Sequence, residues 1–207
     1  MQAEDIEALF TRSDGSFLCA RWGRPIAPVI FGVSEETLRV FKGAIEAVVV
    51  LAQHRMAETD PELGANLMIF VFRDWQELLD VPNLDRLIDG LAPLVDRLRA
   101  ADANQYRIFR FDDATAIKAA FVFIRMDDAL SDIPAETLAL SQAVQVILLW
   151  SDTAFTDRSA LVQSGESIIL RPEIGALIRA TYDPVLPPVA TDPALALRLA
   201  ARIMPQQ

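Results

Sequence analysis

Apolar side chains recur every three to four positions at Leu38, Phe41, Ile45, Val48 and Val49, which places them on one face of a helix. Ser34 stands before this stretch as an N-cap, and Glu35 and Glu36 occupy the first turn, where the helix dipole favours negative charge. The helix is therefore expected to run from Ser34 to about Gln53, with His54 and Arg55 near its positive-seeking end. A different pattern fills Ala65–Phe72, which is apolar on both faces and predicts a central strand. Tyr106–Phe111 alternates, Asp112-Asp113-Ala114-Thr115 turns, and Ala116–Met126 returns, so these residues predict a hairpin. Leu84, Leu87, Leu91, Leu94 and Leu98 form one helical stripe behind Asn83 as cap, reaching about Ala101. Gly90 and Pro93 interrupt that stripe and are expected to bend or split it.

The weaker patterns complete the order. Short helices are expected over residues 3–11, Asp74–Val81, Pro172–Tyr182 and Pro193–Met204, and a longer one from Pro134 to about Trp150. Phe17–Trp22 and Pro25–Val33 are extended, with Pro25 and Pro28 marking an edge position. Residues 57–64 and 152–167 are polar loops, and Pro184, Pro187 and Pro188 force a second extended stretch. These elements predict an α+β fold, a mixed or antiparallel sheet with packed helices. Residues 1–207 are expected to form a single domain, with 1–16 as an N-terminal extension and 184–207 as a C-terminal extended segment and short helix.

Composition narrows the function. The net charge is −10 and no run of Lys or Arg forms a basic face, so neither nucleic acid nor an anionic membrane is an expected partner. No window approaches the roughly 18 apolar residues of a membrane span. The start, Met1-Gln2-Ala3-Glu4-Asp5, is acidic and lacks the apolar stretch of a signal peptide, which points to a cytoplasmic protein. Hydrophobic residues reach 52% against 23% charged, an excess that serves either a large core or self-association. The run Val48-Val49-Val50-Leu51 wraps more than one face of its helix, so the helix Ser34–Gln53 is the expected surface of a homodimer.

Candidate chemistry is sparse. One His and one Cys, far apart, rule out a zinc site built on several His and Cys ligands. Asp127, Asp128 and Asp132 form an acidic cluster without the spacing of a calcium loop, and read as a solvated turn with Asp132 helping to cap the next helix. His54 is the one imidazole available as a base, placed where a helix terminus favours its charged form. Cys19, in an apolar strand, reads as a small core residue. No glycine-rich phosphate loop and no nucleophile elbow is present. With 29 acidic residues, paired carboxylates are too easily imagined to carry weight.

Two stretches carry a resemblance. One is Arg21-Trp22-Gly23-Arg24-Pro25-Ile26, leading through Gly32 to a helix and then to Asn66-Leu67-Met68-Ile69-Phe70; the other is Thr181-Tyr182-Asp183-Pro184-Val185-Leu186-Pro187. Together they resemble an uncharacterised bacterial family of zincin-like secreted proteins, known only as a domain of unknown function. In that family a helix carries His-Glu-x-x-Gln-Ala, and a tail similar to Leu-Tyr-Asp-Pro-x-Leu-x-Pro follows. The resemblance implies a zincin-like order of elements, with Gln142-Ala143 matching the family's Gln-Ala. Leu138 and Ala139 then stand where the family has its metal-binding His and its water-activating Glu, and neither side chain has a lone pair to offer. The start of the chain departs from the secreted pattern of that family.

The residues and the resemblance together point to a non-catalytic binding or scaffold protein on a degenerate zincin-like fold, with another protein as partner and no cofactor. The alternatives are a small-molecule enzyme using carboxylates without a transition metal, and a purely structural homo-oligomer. Apposed acids in a cleft would favour the enzyme. Gln142, Gln145 and Trp150 fall on one side of the same expected helix and are candidates to line a cleft or meet a buried polar group; the alternative is a solvent-facing stripe. Tyr182 and Asp183, from the tail motif, complete the candidate set.

Overall fold

The computed structural model describes residues 1–203. Its centre is a four-stranded mixed sheet of β2 (Pro28–Phe31), β3 (Leu67–Phe72), β4 (Gln105–Phe111) and β5 (Ile117–Arg125), in the order β2-β3-β5-β4. β2 and β3 run parallel, β3 and β5 run parallel, and β4 closes the sheet antiparallel to β5. The expected edge position of β2, the central position of β3 and the hairpin β4–β5 are all present.

Side-chain alternation divides the core between the two sheet faces. Leu67, Ile69, Ala120, Val122 and Ile124 face α2 (Glu35–Leu51) and α6 (Ala135–Ile147), which lie side by side on the sheet. Phe70, Phe72, Phe121 and Phe123 face the other way and meet a 3-10 turn (Trp75–Asp80), α3 (Leu84–Leu87) and α4 (Leu91–Ala100). The smaller and branched residues sit under two packed helices, and the aromatic rings fill the shallower second layer.

Ser34 caps α2, accepting the Thr37 N–H. Gly32, in the turn before it, has φ +80° and passes so near β3 that a Cβ there would lie 1.8 Å from the Val71 carbonyl oxygen. The leucine stripe forms two helices rather than one, because Gly90 adopts φ +71° between them; Asn83 makes no side-chain cap and itself sits at φ +62°.

Residues 152–167 are not all loop. Leu161–Ser164 (β6) and Ser167–Leu170 (β7) form a hairpin, with Gly165 at φ +59° in its tight turn. α7 (Pro172–Thr181) packs on α2, and a short pairing of β1 (Cys19–Ala20) with β8 (Val189–Ala190) ties the two ends of the chain together. α8 (Ala194–Ile203) lies against α7 and α1 (Ala3–Phe10); Met204, its expected last residue, lies outside the described residues. Ile6 and Phe10 of α1 are fully buried in the main core, so α1 packs with the domain. No helix among the described residues is long and apolar enough to cross a membrane.

The face of α2 expected to remain for a partner is covered within the chain. Val48 and Val49 are buried, α6 and α7 pack on the helix, and Val50, 67% exposed, is the apolar side chain left outside.

Candidate functional site

α6 ends at Ile147, three residues before its expected end, and three aromatic side chains account for this. A helix leaves its last carbonyls without intrahelical partners. Here the Val144 carbonyl accepts from Trp150 Nε1 at 2.8 Å, Val146 from Trp22 Nε1 at 2.8 Å and Ile147 from the Tyr182 hydroxyl at 2.8 Å. The chain beyond turns extended, so that Leu148 bridges Arg21 and the Leu149 N–H reaches the Ala20 carbonyl. Trp150 therefore does not extend the helical side that carries Gln142 and Gln145; it folds back to cap it.

The inner side of α6 faces β4, and a polar bridge crosses between them. Gln142, fully buried, accepts from Arg107 Nη2 at 2.6 Å and donates to Gln105 Oε1 at 2.7 Å. The same Arg107 nitrogen also donates to Gln105 Oε1 at 3.0 Å. Gln105, Arg107 and Phe109 share this face of β4 by alternation, while Tyr106 and Ile108 pack on the opposite face. The bridge accounts for a glutamine in the core: each amide group of Gln142 meets a polar partner.

Depressions flank the bridge on either side. One, of about 260 Å³, lies beside Gln105, Leu138 and Ser141, under Ile133 and the β6–β7 hairpin. The other, of about 250 Å³, lies beside Arg107, Phe109 and Gln145, and is closed by Arg12, Trp150, Asp152 and Phe155. β4 is the edge strand of its sheet. On β5, the Ala120 N–H turns to the Asn66 carbonyl just before β3 and the Arg125 N–H to the Asn104 carbonyl just before β4. The alternation of an antiparallel ladder then points the backbone groups of Gln105, Arg107 and Phe109 outward. Among the described residues none of these takes a backbone partner.

The electrostatics of this cleft are one-sided. Burial pushes the Arg107 guanidinium down to about 10, so it stays charged at neutral pH. No carboxylate forms an ion pair with Arg107 or Arg12 among the described residues. Asp152, the one acid lining either depression, is engaged by the Ser13 hydroxyl and by its N–H at 2.9 Å, and these hydrogen bonds hold its pKa below the usual carboxylate range.

The five candidate residues thus separate. Gln142 is in the bridge, and Gln145 and Trp150 line the depression beside Arg107. Tyr182 and Asp183 line neither depression. The Tyr182 hydroxyl donates to Ile147 and accepts from the Trp22 N–H at 3.3 Å, and burial raises its pKa; Asp183 pairs with Arg202 at 2.7 Å. Arg107 and Gln105 were not singled out by the sequence, because polar side chains alternating along a strand read as its solvent-facing side until packing places them.

The remaining groups are structural. Asp127, rather than Asp132, makes the cap in the acidic cluster, accepting the Leu130 N–H of α5 (Asp128–Ser131). No group of three or more His, Cys, Asp or Glu able to hold a metal ion occurs among the described residues. Cys19 is buried, and its thiol is pushed up to about 12. His54 does not gain from the end of α2: the chain turns at Gln53 (φ +54°) and sets the ring 5.2 Å from that of Tyr182, where burial lowers its pKa. Its Nε2 lies 2.8 Å from the Arg24 carbonyl, which can only accept, so Nε2 carries the proton.

No family model, curated protein or solved structure matches the chain.

Proposed function

We propose that this chain is a non-catalytic binding protein on a degenerate zincin-like scaffold, and that it holds an extended segment of another protein along the open edge of β4. The observation that carries this reading is the cleft between α6 and β4, which has an outward-facing backbone edge but no group equipped for hydrolysis. An exposed strand edge binds extended peptides through main-chain hydrogen bonds, and flanking pockets select their side chains. Leu138 borders the cleft and Ala139 is fully buried beside it; on the zincin-like reading these replace the metal ligand and the water-activating acid. The third motif position, Gln142, is tied to Arg107 and Gln105 instead. This cleft lacks the apposed acids that the carboxylate-enzyme alternative requires: of the acidic residues only Asp152 lines its two depressions, held in its charged form.

A random-peptide selection against the full chain, followed by amide NMR mapping and mass spectrometry, tests the proposal. The expected result is a set of peptides that shift the Gln105, Arg107 and Phe109 amides and remain intact after prolonged incubation with zinc. Peptides that map to another surface, or that are cleaved, would overturn it.

A further inference from the structure

Arg107 is unlike the other arginines that contribute to packing. Arg24 pairs with Asp60 and Glu62, Arg125 with Asp102, Arg158 with Glu173 and Arg202 with Asp183. Arg21 has no carboxylate and its Nε, like that of Arg107, is enclosed without a partner, but its Nη1 and Nη2 reach the Tyr182 and Leu186 carbonyls at 2.8 and 3.0 Å. Arg107 has neither arrangement. Its Nη2 meets two amide oxygens, its Nε is enclosed without a partner, and its Nη1 makes no hydrogen bond among the described residues. A guanidinium has five N–H donors in a rigid fork suited to a planar carboxylate. In a chain with 29 acids against 19 bases, an arginine lining a cavity without one carboxylate is unsatisfied in charge as well as in hydrogen bonds.

The surrounding walls add a second requirement. Arg12 and Arg107 outweigh Asp152, so the depression is net positive in a molecule of charge −10. Phe109, Trp150 and Phe155 supply aromatic surface, and the rings of Trp150 and Phe155 meet edge to face with centroids 5.0 Å apart. Aromatic walls beside a cationic fork suit a ligand with an apolar or aromatic group next to its negative end.

We infer that the depression beside Arg107 is a carboxylate-binding subsite, in which the guanidinium takes a carboxylate of the bound segment and Phe109, Trp150 and Phe155 receive the apolar group next to it. This rests on the peptide-binding reading above and names the chemistry that reading requires at one position. The carboxylate comes from a C-terminus or from an acidic side chain, since both present the same planar group.

Benzoate and its neutral counterpart benzamide are the probes, titrated into the unmodified full chain while the Arg107 Nε–H and Trp150 indole N–H resonances are followed. Saturable shifts with benzoate are expected, with benzamide at least tenfold weaker and inorganic phosphate a poor competitor of benzoate. Arg107→Lys, which keeps the charge and loses the fork, is expected to weaken benzoate several-fold, and Arg107→Met to abolish the response. Equal binding of benzoate and benzamide, equal competition by phosphate, or an unchanged response in Arg107→Met would each overturn the inference. The two proposals fail separately. Cleft-binding peptides, remade as C-terminal amides and with each Asp or Glu replaced by Asn or Gln, identify the source of the carboxylate. If none of these changes weakens binding at least tenfold, the subsite is refuted while the peptide reading stands. Selective benzoate binding with no peptide ligand found refutes the peptide reading and leaves a site for a small carboxylate.

Discussion

An arginine kept in a cleft without a counter-ion should cost the fold stability, and its removal should recover it. The drop in the Arg107 pKa from the ordinary 12.5 to about 10 corresponds to about 3 kcal/mol against the charged form, at 1.36 kcal/mol per pH unit. The folded value lies below the unfolded one, so stability would rise only above pH 10 and the penalty is fully present at neutral pH. Arg107→Met alone removes that charge but strips Gln142 Oε1 of its donor. A buried acceptor left unsatisfied costs about 1–3 kcal/mol, so the single variant should change stability little. Arg107→Met combined with Gln142→Leu removes both buried groups, and Gln105, which loses both of its donors, is half-buried beside a depression where water can replace them. That double variant is expected to be more stable than the parent by about 2 kcal/mol, or about 4–8 °C in Tm for a chain of this size. Urea unfolding at pH 7 with an unchanged m-value is the assay. If the double variant instead loses 1 kcal/mol or more, the bridge is a structural tie and the arginine is adequately satisfied without a ligand. Stability gained where binding is lost is the usual exchange at a functional site.

Three further outcomes are expected. Gly32→Ala places a Cβ 1.8 Å from the Val71 carbonyl at φ +80°, so it should destabilise by about 3 kcal/mol or more and lower Tm by at least about 6 °C; a drop under 2 °C would contradict the close approach. His54 is the one histidine and its folded pKa is lowered, so the unfolded chain takes up the proton first: stability is complete above about pH 6.5 and falls as pH drops below it. Urea melts between pH 5.5 and 7.5 should show that slope in the parent and lose it in His54→Gln. Because Val48 and Val49 are buried within the chain and Val50 is the large apolar side chain of α2 left exposed, light scattering at micromolar concentration should give the monomer mass of 22.9 kDa; a dimer mass abolished by Val50→Asp would restore α2 as an interface.

Local chemistry alone determined most of the elements. The Ser34 cap, the two-sided apolar run of β3 and the alternation of the β4–β5 hairpin each act over a few residues, and each appears where the sequence places it. Longer reach was needed elsewhere. The end of α6 is set by Trp22 and Tyr182, which lie more than thirty residues away on either side, and by the pairing of Leu148 with Arg21. Helical periodicity carries no information about such donors, so Trp150 is read as part of the helix it caps. The β6–β7 hairpin is short, and the polar residues around it mask its Gly165 turn. The candidate cleft divides in the same way. Gln142 and Gln145 stand out in sequence because an amide on an apolar helix needs an explanation. Arg107 and Gln105 are ordinary residues of an amphipathic strand until packing turns that face of β4 toward α6. Only tertiary structure brings a guanidinium with unused donors to a buried amide from 35 residues away, because burial and the lack of a counter-ion are properties of the assembled layers and not of any segment.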